Sequence, residues 1–183
     1  METKTMTTER KNLGLEFEVK EVSDNGTFAG YGSVFGNKDL WGDIVMPGAF
    51  EKSIAKKTPV MLWQHNTDEP IGVYTKVEER PKGLYVEGKL LIEDVVRSKE
   101  AHALLKNGAI RGLSIGFNAI SWENKGEDGK RFRVLNEIDL WEISLVTFPA
   151  NEKALVQNVK NAIDEIDPEI ITQAKSLLAM MKG

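Results

Sequence analysis

The chain of 183 residues has no cysteine and only two histidines, His65 and His102. Without cysteine, disulfide bonds, thiolate zinc sites and cysteine nucleophiles are all excluded. A catalytic zinc ion usually needs two or three histidine ligands, and neither an HExxH motif nor any other paired-histidine spacing occurs. We therefore expect no metal site and no cofactor, and few side chains are available for acid–base chemistry near neutral pH.

Long apolar runs and an excess of positive charge are missing as well. No run approaches the roughly 18 apolar residues of a membrane-spanning helix, and residues 1–12 lack the apolar core of a signal peptide. The formal net charge of −4 argues against a nucleic-acid-binding protein, which usually carries a basic patch. With 41% hydrophobic and 28% charged residues, we expect a soluble, intracellular protein without a nucleic-acid or membrane partner.

Short strands separated by turn residues dominate what is present. Apolar and polar residues alternate from Leu15 to Lys20, as in a half-buried strand, and a Ser-Asp-Asn-Gly turn over 23–26 leads into the next strand. Further strands are predicted at 27–35, 60–65, 72–79, 83–92, 110–122 and 131–148. Many short strands with few helices predict a mainly-β or α+β barrel.

Two helices and one loop are predicted within this series of strands. A short helix follows Pro47. A second helix runs from Asp94, as its N-cap, to near Gly108. The polar segment 66–70 is predicted to be a loop that follows the buried strand ending at His65.

The two ends of the chain differ from the middle. Residues 1–12 are predicted to be a flexible arm, 13–160 the main domain, and 161–183 a C-terminal segment with an amphipathic helix over 168–181. An apolar stripe recurs there at helical spacing, at positions 170, 171, 174, 177, 178 and 181. The simpler interpretation is that this stripe packs on the barrel of its own chain; the alternative is a helix that docks a partner or a second copy.

The segment GLSIG over 112–116 matches the pattern G-x-S-x-G around Ser114. In α/β-hydrolases this pattern is a turn between a strand and a helix, and the catalytic histidine follows the serine in the chain. Here residues 115–120 alternate as a strand does, and no histidine lies beyond position 102. The α/β-hydrolase interpretation is therefore rejected.

As part of a strand, Ser114 lies on a face with glycine on both sides, at 112 and 116, while the apolar residues 113, 115 and 117 lie on the other face. The missing side chains would leave room for a substrate backbone beside the hydroxyl. By itself, a serine between glycines in a strand is more often a tight packing site, so that alternative stays open.

His65 is the better candidate for a base. It lies where a buried strand meets a polar segment, so its ring can be half-buried and still reachable. A structural histidine at a strand end is the alternative. His102, in the middle of a predicted helix, is expected on a solvated face.

A serine needs a base to take its proton, and the base works best when a third group fixes its tautomer. The strand around Glu142 alternates, with Trp141, Ile143 and Leu145 on one face and Glu142, Ser144 and Val146 on the other. An acid within such an apolar strand is costly unless it is paired, and a histidine, lysine or arginine would serve. Asp139 lies closer to the start of the strand and is the second candidate.

Five motifs in a fixed order resemble the prohead proteases of tailed bacteriophages: GYGSVF (30–35), DIVMPGAF (43–50), WQH (63–65), GLSIGF (112–117) and EISLVTFPAN (142–151). That family is grouped with the herpesvirus assemblins, which have a β-barrel surrounded by helices and use His, Ser and a third residue in that order. The resemblance implies a serine endopeptidase with Ser114 as nucleophile, His65 as base and Glu142, or else Asp139, as the third member. By analogy with the assemblins, Ala150 or Asn151 would supply backbone N–H groups to the oxyanion.

The resemblance also implies a biological role. The substrate would be the scaffold segment of the major capsid protein, and the protease itself, cleaved inside the assembling prohead in the host cytoplasm. A homodimer is possible, because assemblins dimerise. The alternative of another class is a catalytically silent module for prohead assembly; a small-molecule esterase fits the order of the motifs poorly.

Overall fold

The computed structural model describes residues 23–126 and 131–157. The predicted arm, the strand that begins at Leu15 and the helix over 168–181 lie outside the described residues. Within them the chain forms the strands β1 (Thr27–Val34), β2 (Asp43–Val45), β3 (Val60–Trp63), β4 (Asn66–Arg80), β5 (Gly83–Leu90), β6 (Gly112–Lys125), β7 (Phe132–Val146) and β8 (Val156–Gln157), and the helices α1 (Glu51–Ile54) and α2 (Val96–Lys106). The prediction of a mainly-β domain with few helices is confirmed.

All eight strands belong to one curled sheet. Its order is β2-β7-β3-β4-β5-β1-β8, and β6 pairs with β7 outside this path. β8 lies antiparallel to β1, and the segment before it returns to the start of β6, where the Leu113 N–H donates to the Ala154 carbonyl at 2.9 Å. The β8 end of the path is thereby connected to β6, the partner of β7 near the other end, which gives the sheet its barrel-like curl.

The core fills the inside of this curl. Its fully buried side chains come from most of the strands, from helix α2 and from the residue directly before helix α1. They include Phe28, Phe50, Met61, Ile71, Leu84, Leu105, Leu113, Leu135 and Ile143. Burying each such side chain contributes about 1.5–3 kcal/mol. β7 has neighbours on both edges, with β6 antiparallel on one side and β3 parallel on the other. Ser114 on β6, Glu142 on β7 and the turn that carries His65 directly after β3 are therefore held close to one another in the sheet.

Two local predictions are wrong. The segment 66–70 is not a loop, because β4 begins at Asn66 after a turn of only two residues. Its polar side chains lie on the exposed part of a strand, which sequence polarity alone does not distinguish from a loop. Asp94 does not cap α2: Val95 precedes the helix without a side-chain cap, and the Asp94 N–H is used in a turn, donating to the Leu91 carbonyl at 3.2 Å.

Candidate active site

Ser114 lies near the start of β6, directly opposite Ser144 on β7. It is only 6% exposed. Its hydroxyl borders a pocket of about 450 Å³ whose lining also includes His65, Trp41 and Ala150. The pocket thus brings the predicted nucleophile and the predicted base to one cavity, although no hydrogen bond joins Ser114 to His65 among the described residues. Catalytic hydrogen bonds are often long before substrate binds.

The two glycines beside Ser114 have roles that differ from the predicted one. A Cβ at Gly112 would lie 2.7 Å from Pro149 Cδ, and a Cβ at Gly116 would overlap Glu142 Oε1. The space that these glycines leave is therefore filled by Pro149 and Glu142 of the same chain, and not kept open for a substrate backbone. The glycines allow Glu142 of β7 and Pro149 after β7 to pack against the backbone of β6 on both sides of the serine.

His65 is held on an unusually tight turn. Gln64 and His65 form the two-residue connection between β3 and β4, and both are left-handed, with φ of 53° and 61°. Two consecutive left-handed residues are typical of a type I′ turn, which favours Asn-Gly. Residues other than glycine cost about 1–3 kcal/mol each in such sparsely populated conformations.

Hydrogen bonds to β7 and to the segment after it hold this turn. The Gln64 N–H donates to the Leu145 carbonyl at 3.0 Å, and the His65 N–H donates to Ser144 Oγ at 3.0 Å. The Gln64 side chain adds a bond from Nε2 to Thr147 Oγ1 at 2.8 Å. The His65 ring is therefore placed by its backbone as well as by its own contacts.

Glu142 orients the His65 ring. His65 Nδ1 lies 2.7 Å from Glu142 Oε1, and Glu142 is 9% exposed. This hydrogen bond raises the pKa of His65 above its ordinary value, against the opposing effect of burial. With the carboxylate on Nδ1, the neutral ring carries its proton there, and Nε2 is left as the acceptor. This arrangement can take a proton from a nearby hydroxyl.

Asp139, the second candidate for the third member, lies elsewhere. Its carboxylate pairs with Lys57 Nζ at 2.9 Å, and this contact lowers the pKa of Asp139. It makes no hydrogen bond to His65 among the described residues. The geometry of the site therefore favours Glu142.

Ala150 and Asn151 line the same pocket as Ser114. Their turn is fixed by side-chain and backbone contacts: Asn151 Nδ2 donates to the Val34 carbonyl at 3.0 Å, and the Leu40 N–H donates to the Ala150 carbonyl at 3.0 Å. Within residues 23–126 and 131–157, neither the Ala150 N–H nor the Asn151 N–H has an acceptor. Both N–H groups therefore have no acceptor among these residues, on a turn that lines the pocket.

Asp39, Trp41 and Asp43, in the loop over 39–43, also line the pocket. Asp39 Oδ1 accepts the N–H groups of Trp41 at 2.9 Å and of Asp43 at 2.8 Å, and Arg133 forms two hydrogen bonds to the Asp43 carboxylate. These contacts form a rigid turn that holds the Trp41 side chain outward, 83% exposed. The acids of this loop thus have a turn-forming role and also border the pocket.

Neither a metal site nor a membrane helix is found in the part of the chain that the structure describes. There, no three histidine, aspartate or glutamate side chains are grouped so that they could hold a metal ion. None of the helices described is both long and apolar enough to cross a bilayer.

Comparison with known proteins identifies the family. The family model described as Caudovirus prohead serine protease matches residues 15–169. The chain belongs to this family.

Relatives of this chain include phage proteins of which it matches very different shares. The prohead protease of Enterobacteria phage HK97 is 37% identical over 158 residues, which cover 83% of this chain and 68% of that protein. A capsid polyprotein of Pseudomonas phage PAJU2 is 39% identical over 130 residues, which cover 67% of this chain and 18% of the polyprotein.

Solved structures agree on the fold. The capsid assembly protease of bacteriophage T4 superposes with a TM-score of 0.50 at 9% identity, covering 66% of this chain and 82% of that chain. Herpesvirus proteases are also among the structural neighbours. The likeness to the T4 protease supports the mainly-β fold predicted from the sequence.

Sequence reasoning missed two residues of this candidate site. Gln64 carries no chemical signal, since its role comes from a left-handed backbone and an amide contact to Thr147. Ser144 was placed on the same face as Glu142, and that shared face is the signal from which its contact with the carboxylate can be inferred.

Proposed function

We propose that the chain is a serine endopeptidase in which Ser114 is the nucleophile, His65 the general base and Glu142 the group that orients His65. The observation that carries this proposal is the 2.7 Å contact between His65 Nδ1 and the buried Glu142 carboxylate, at the edge of the pocket that Ser114 also lines. A buried acid paired with a histidine beside a serine is the arrangement that acyl transfer to a hydroxyl needs.

The first step forms an acyl-enzyme. Ser114 Oγ attacks the carbonyl carbon of the scissile peptide bond while its proton passes to His65 Nε2. The Glu142 carboxylate stabilises the imidazolium that forms. His65 then gives this proton to the leaving amine nitrogen as the C–N bond breaks. A water molecule repeats the sequence on the ester and releases Ser114.

The tetrahedral intermediate places a negative charge on the former carbonyl oxygen. We assign its stabilisation to the N–H groups of Ala150 and Asn151, because they lack acceptors within the described residues and border the pocket beside Ser114. Removing one such donor typically costs about 10²–10³ in rate.

The substrate assigned by the proposal is the scaffold segment of the major capsid protein, together with the protease chain itself. The name of the PAJU2 relative, a capsid polyprotein, supports a substrate of the capsid. Cleavage would take place in the assembling prohead in the host cytoplasm. A homodimer remains a prediction from the family resemblance.

The test is co-expression of the full chain with its cognate capsid protein, followed by intact-mass measurement of both. Wild-type protein should shorten the capsid protein, and Ser114→Ala should leave it at full length. A fluorophosphonate probe should label Ser114 in wild type and not in His65→Ala. Cleavage by Ser114→Ala at the wild-type level would refute the mechanism, and a folded wild type that neither cleaves nor takes the label would favour the silent assembly module.

A further inference from the structure

Ser144 takes no part in the proton transfers described above, yet it is hydrogen-bonded to both His65 and Glu142. It is fully buried on β7, directly opposite Ser114 and two residues from Glu142. Because residues two apart in a strand point to the same face, its hydroxyl and the Glu142 carboxylate share one side of the sheet.

Both hydrogen-bonding functions of the Ser144 hydroxyl are used by the candidate triad. Its Oγ–H donates to Glu142 Oε2 at 2.5 Å, and its oxygen accepts the His65 N–H at 3.0 Å. A continuous chain of hydrogen bonds results, from the His65 backbone through Ser144 to Glu142 and back to the His65 ring. Such chains of polar contacts inside a protein reinforce one another.

Another buried serine bonded to β7 has different partners. Ser53 is 5% exposed, accepts the Leu140 N–H at 2.8 Å and donates to Asp139 Oδ1 at 3.4 Å, without a hydrogen bond to Glu142 or His65. Ser144 instead contacts the two residues that must keep a fixed mutual geometry.

The Glu142 carboxylate has little other support. Oε1 is directed to His65 Nδ1, and the space beyond it is occupied by the Gly116 backbone. Oε2 has Ser144 Oγ as its hydrogen-bond donor among the described residues. Without that bond, a buried carboxylate oxygen would lack a partner, at a cost that favours rotation toward solvent.

From this geometry we propose that Ser144 is a positioning residue, whose hydroxyl locks the Glu142 carboxylate and the His65 turn into the arrangement that proton transfer needs. The inference rests on the proposed function for its effect on catalysis. Its structural part, the coupling of Ser144 to the His65 ring through Glu142, stands on the geometry alone.

The test compares Ser144→Ala with Ser53→Ala, which removes a hydroxyl bonded to the same strand away from the site. In Ser144→Ala, kcat for cleavage should fall about 10- to 100-fold with KM nearly unchanged, a fraction of the loss expected when the acid itself is removed. Ser53→Ala should keep the wild-type kcat at a temperature where both variants are folded. If Ser144→Ala does not fold, Ser144→Cys keeps the volume with a weaker donor and should show the same change to a smaller degree.

A second measurement does not depend on activity. The His65 ring can be titrated by NMR, since His102 is the only other histidine and His102→Gln assigns the signals. Ser144→Ala should lower the pKa of His65 toward its ordinary value, and the same change in a Glu142→Gln background should have little further effect, because the coupling runs through the carboxylate.

The outcomes separate the two proposals. An inactive, unlabelled wild type whose His65 titration still responds to Ser144→Ala would refute the protease mechanism and keep the positioning role. An active wild type whose kcat and His65 titration are as insensitive to Ser144→Ala as to Ser53→Ala would overturn the positioning role and leave the mechanism standing.

Discussion

Glu142 and Gly116 lie directly opposite one another on β7 and β6, and the Glu142 carboxylate occupies the place that a side chain at position 116 would take. The same carboxylate contacts His65. The absence of a side chain beside the proposed nucleophile is therefore a condition for the acid to reach the base, and it leads to the first prediction.

Gly116→Ala should displace the Glu142 carboxylate from His65 and reduce kcat by about 10²–10⁴, up to the effect of losing the acid. Cleavage rate and thermal unfolding should be measured together. Asn118→Ala, an exposed position two residues further along the strand, is the control and should retain activity. Full activity of a folded Gly116→Ala protein would show that the carboxylate does not need this space.

Glu142→Gln should reduce kcat by about 10³–10⁴, because the amide cannot stabilise the imidazolium and can favour the wrong tautomer. Asp139→Asn, in contrast, should lose only an ion pair with Lys57 that is partly exposed, and should retain its rate. Steady-state kinetics of the two variants decide whether Glu142 or Asp139 is the third member of the triad. A larger loss in Asp139→Asn would reverse the choice of the third member.

Activity should increase with pH through the pKa of His65, since the base must be neutral to accept the Ser114 proton. The hydrogen bond to Glu142 raises that pKa above its ordinary value of 6.5, so the acidic limb of kcat/KM should lie above 6.5 and move down in Glu142→Gln. A limb at or below 6.5 in the wild type would contradict the contact.

The same shift affects stability with the opposite sign. A folded-state pKa that is raised favours the protonated folded form, so the contribution of the pair is fully present below pH 6.5 and is lost as the pH rises through the raised pKa. Denaturant unfolding of wild type and Glu142→Gln at several pH values should show the difference between them shrink across this window. A difference that grows with pH would contradict the assignment.

Gly112→Ala should move the turn that carries the proposed oxyanion donors, because its Cβ would lie 2.7 Å from Pro149 Cδ and 2.8 Å from the Val146 carbonyl. We expect kcat to fall by about 10²–10³, the usual effect of one lost donor. The His65 titration should stay as in wild type, since Glu142 is not touched. An altered titration together with normal kcat would refute this division of roles between the two glycines.

The strands of the site were predictable from period-2 alternation, and this alternation placed Glu142 and Ser144 on one face of β7. The contact between His65 and Glu142 was not predictable from local pattern, because 77 residues separate them and the parallel pairing of β3 with β7 is a long-range property. The cost of an unpaired acid in an apolar strand indicated a basic partner for Glu142, and the motif order of the family resemblance pointed to His65.

Backbone conformation was the second feature of the site that the sequence did not predict. Neither Gln64 nor His65 is a glycine or asparagine, the residues expected in such a turn, and the polar residues after them suggested a loop where β4 begins at once. Tertiary contacts to Ser144 and Thr147 override the local preference. The prediction for Gly112 and Gly116 was wrong because it also depended on tertiary contacts. The sequence shows that these residues have no side chain, and only the folded structure shows that Pro149 and Glu142 fill the space.

The two-residue connection between Trp63 and Asn66 fixes the position of the proposed base relative to the sheet. A two-residue turn leaves the chain no freedom to compensate for a change in length. One inserted residue would shift the imidazole away from its acid, and one deleted residue would leave a connection too short to join the two strands. Diversification of cleavage preference in proteins built this way must therefore use other parts of the pocket rim. The loop over 39–43 lines another part of that rim, with Trp41 directed outward, and lies outside the hydrogen bonds that join His65, Glu142 and Ser144.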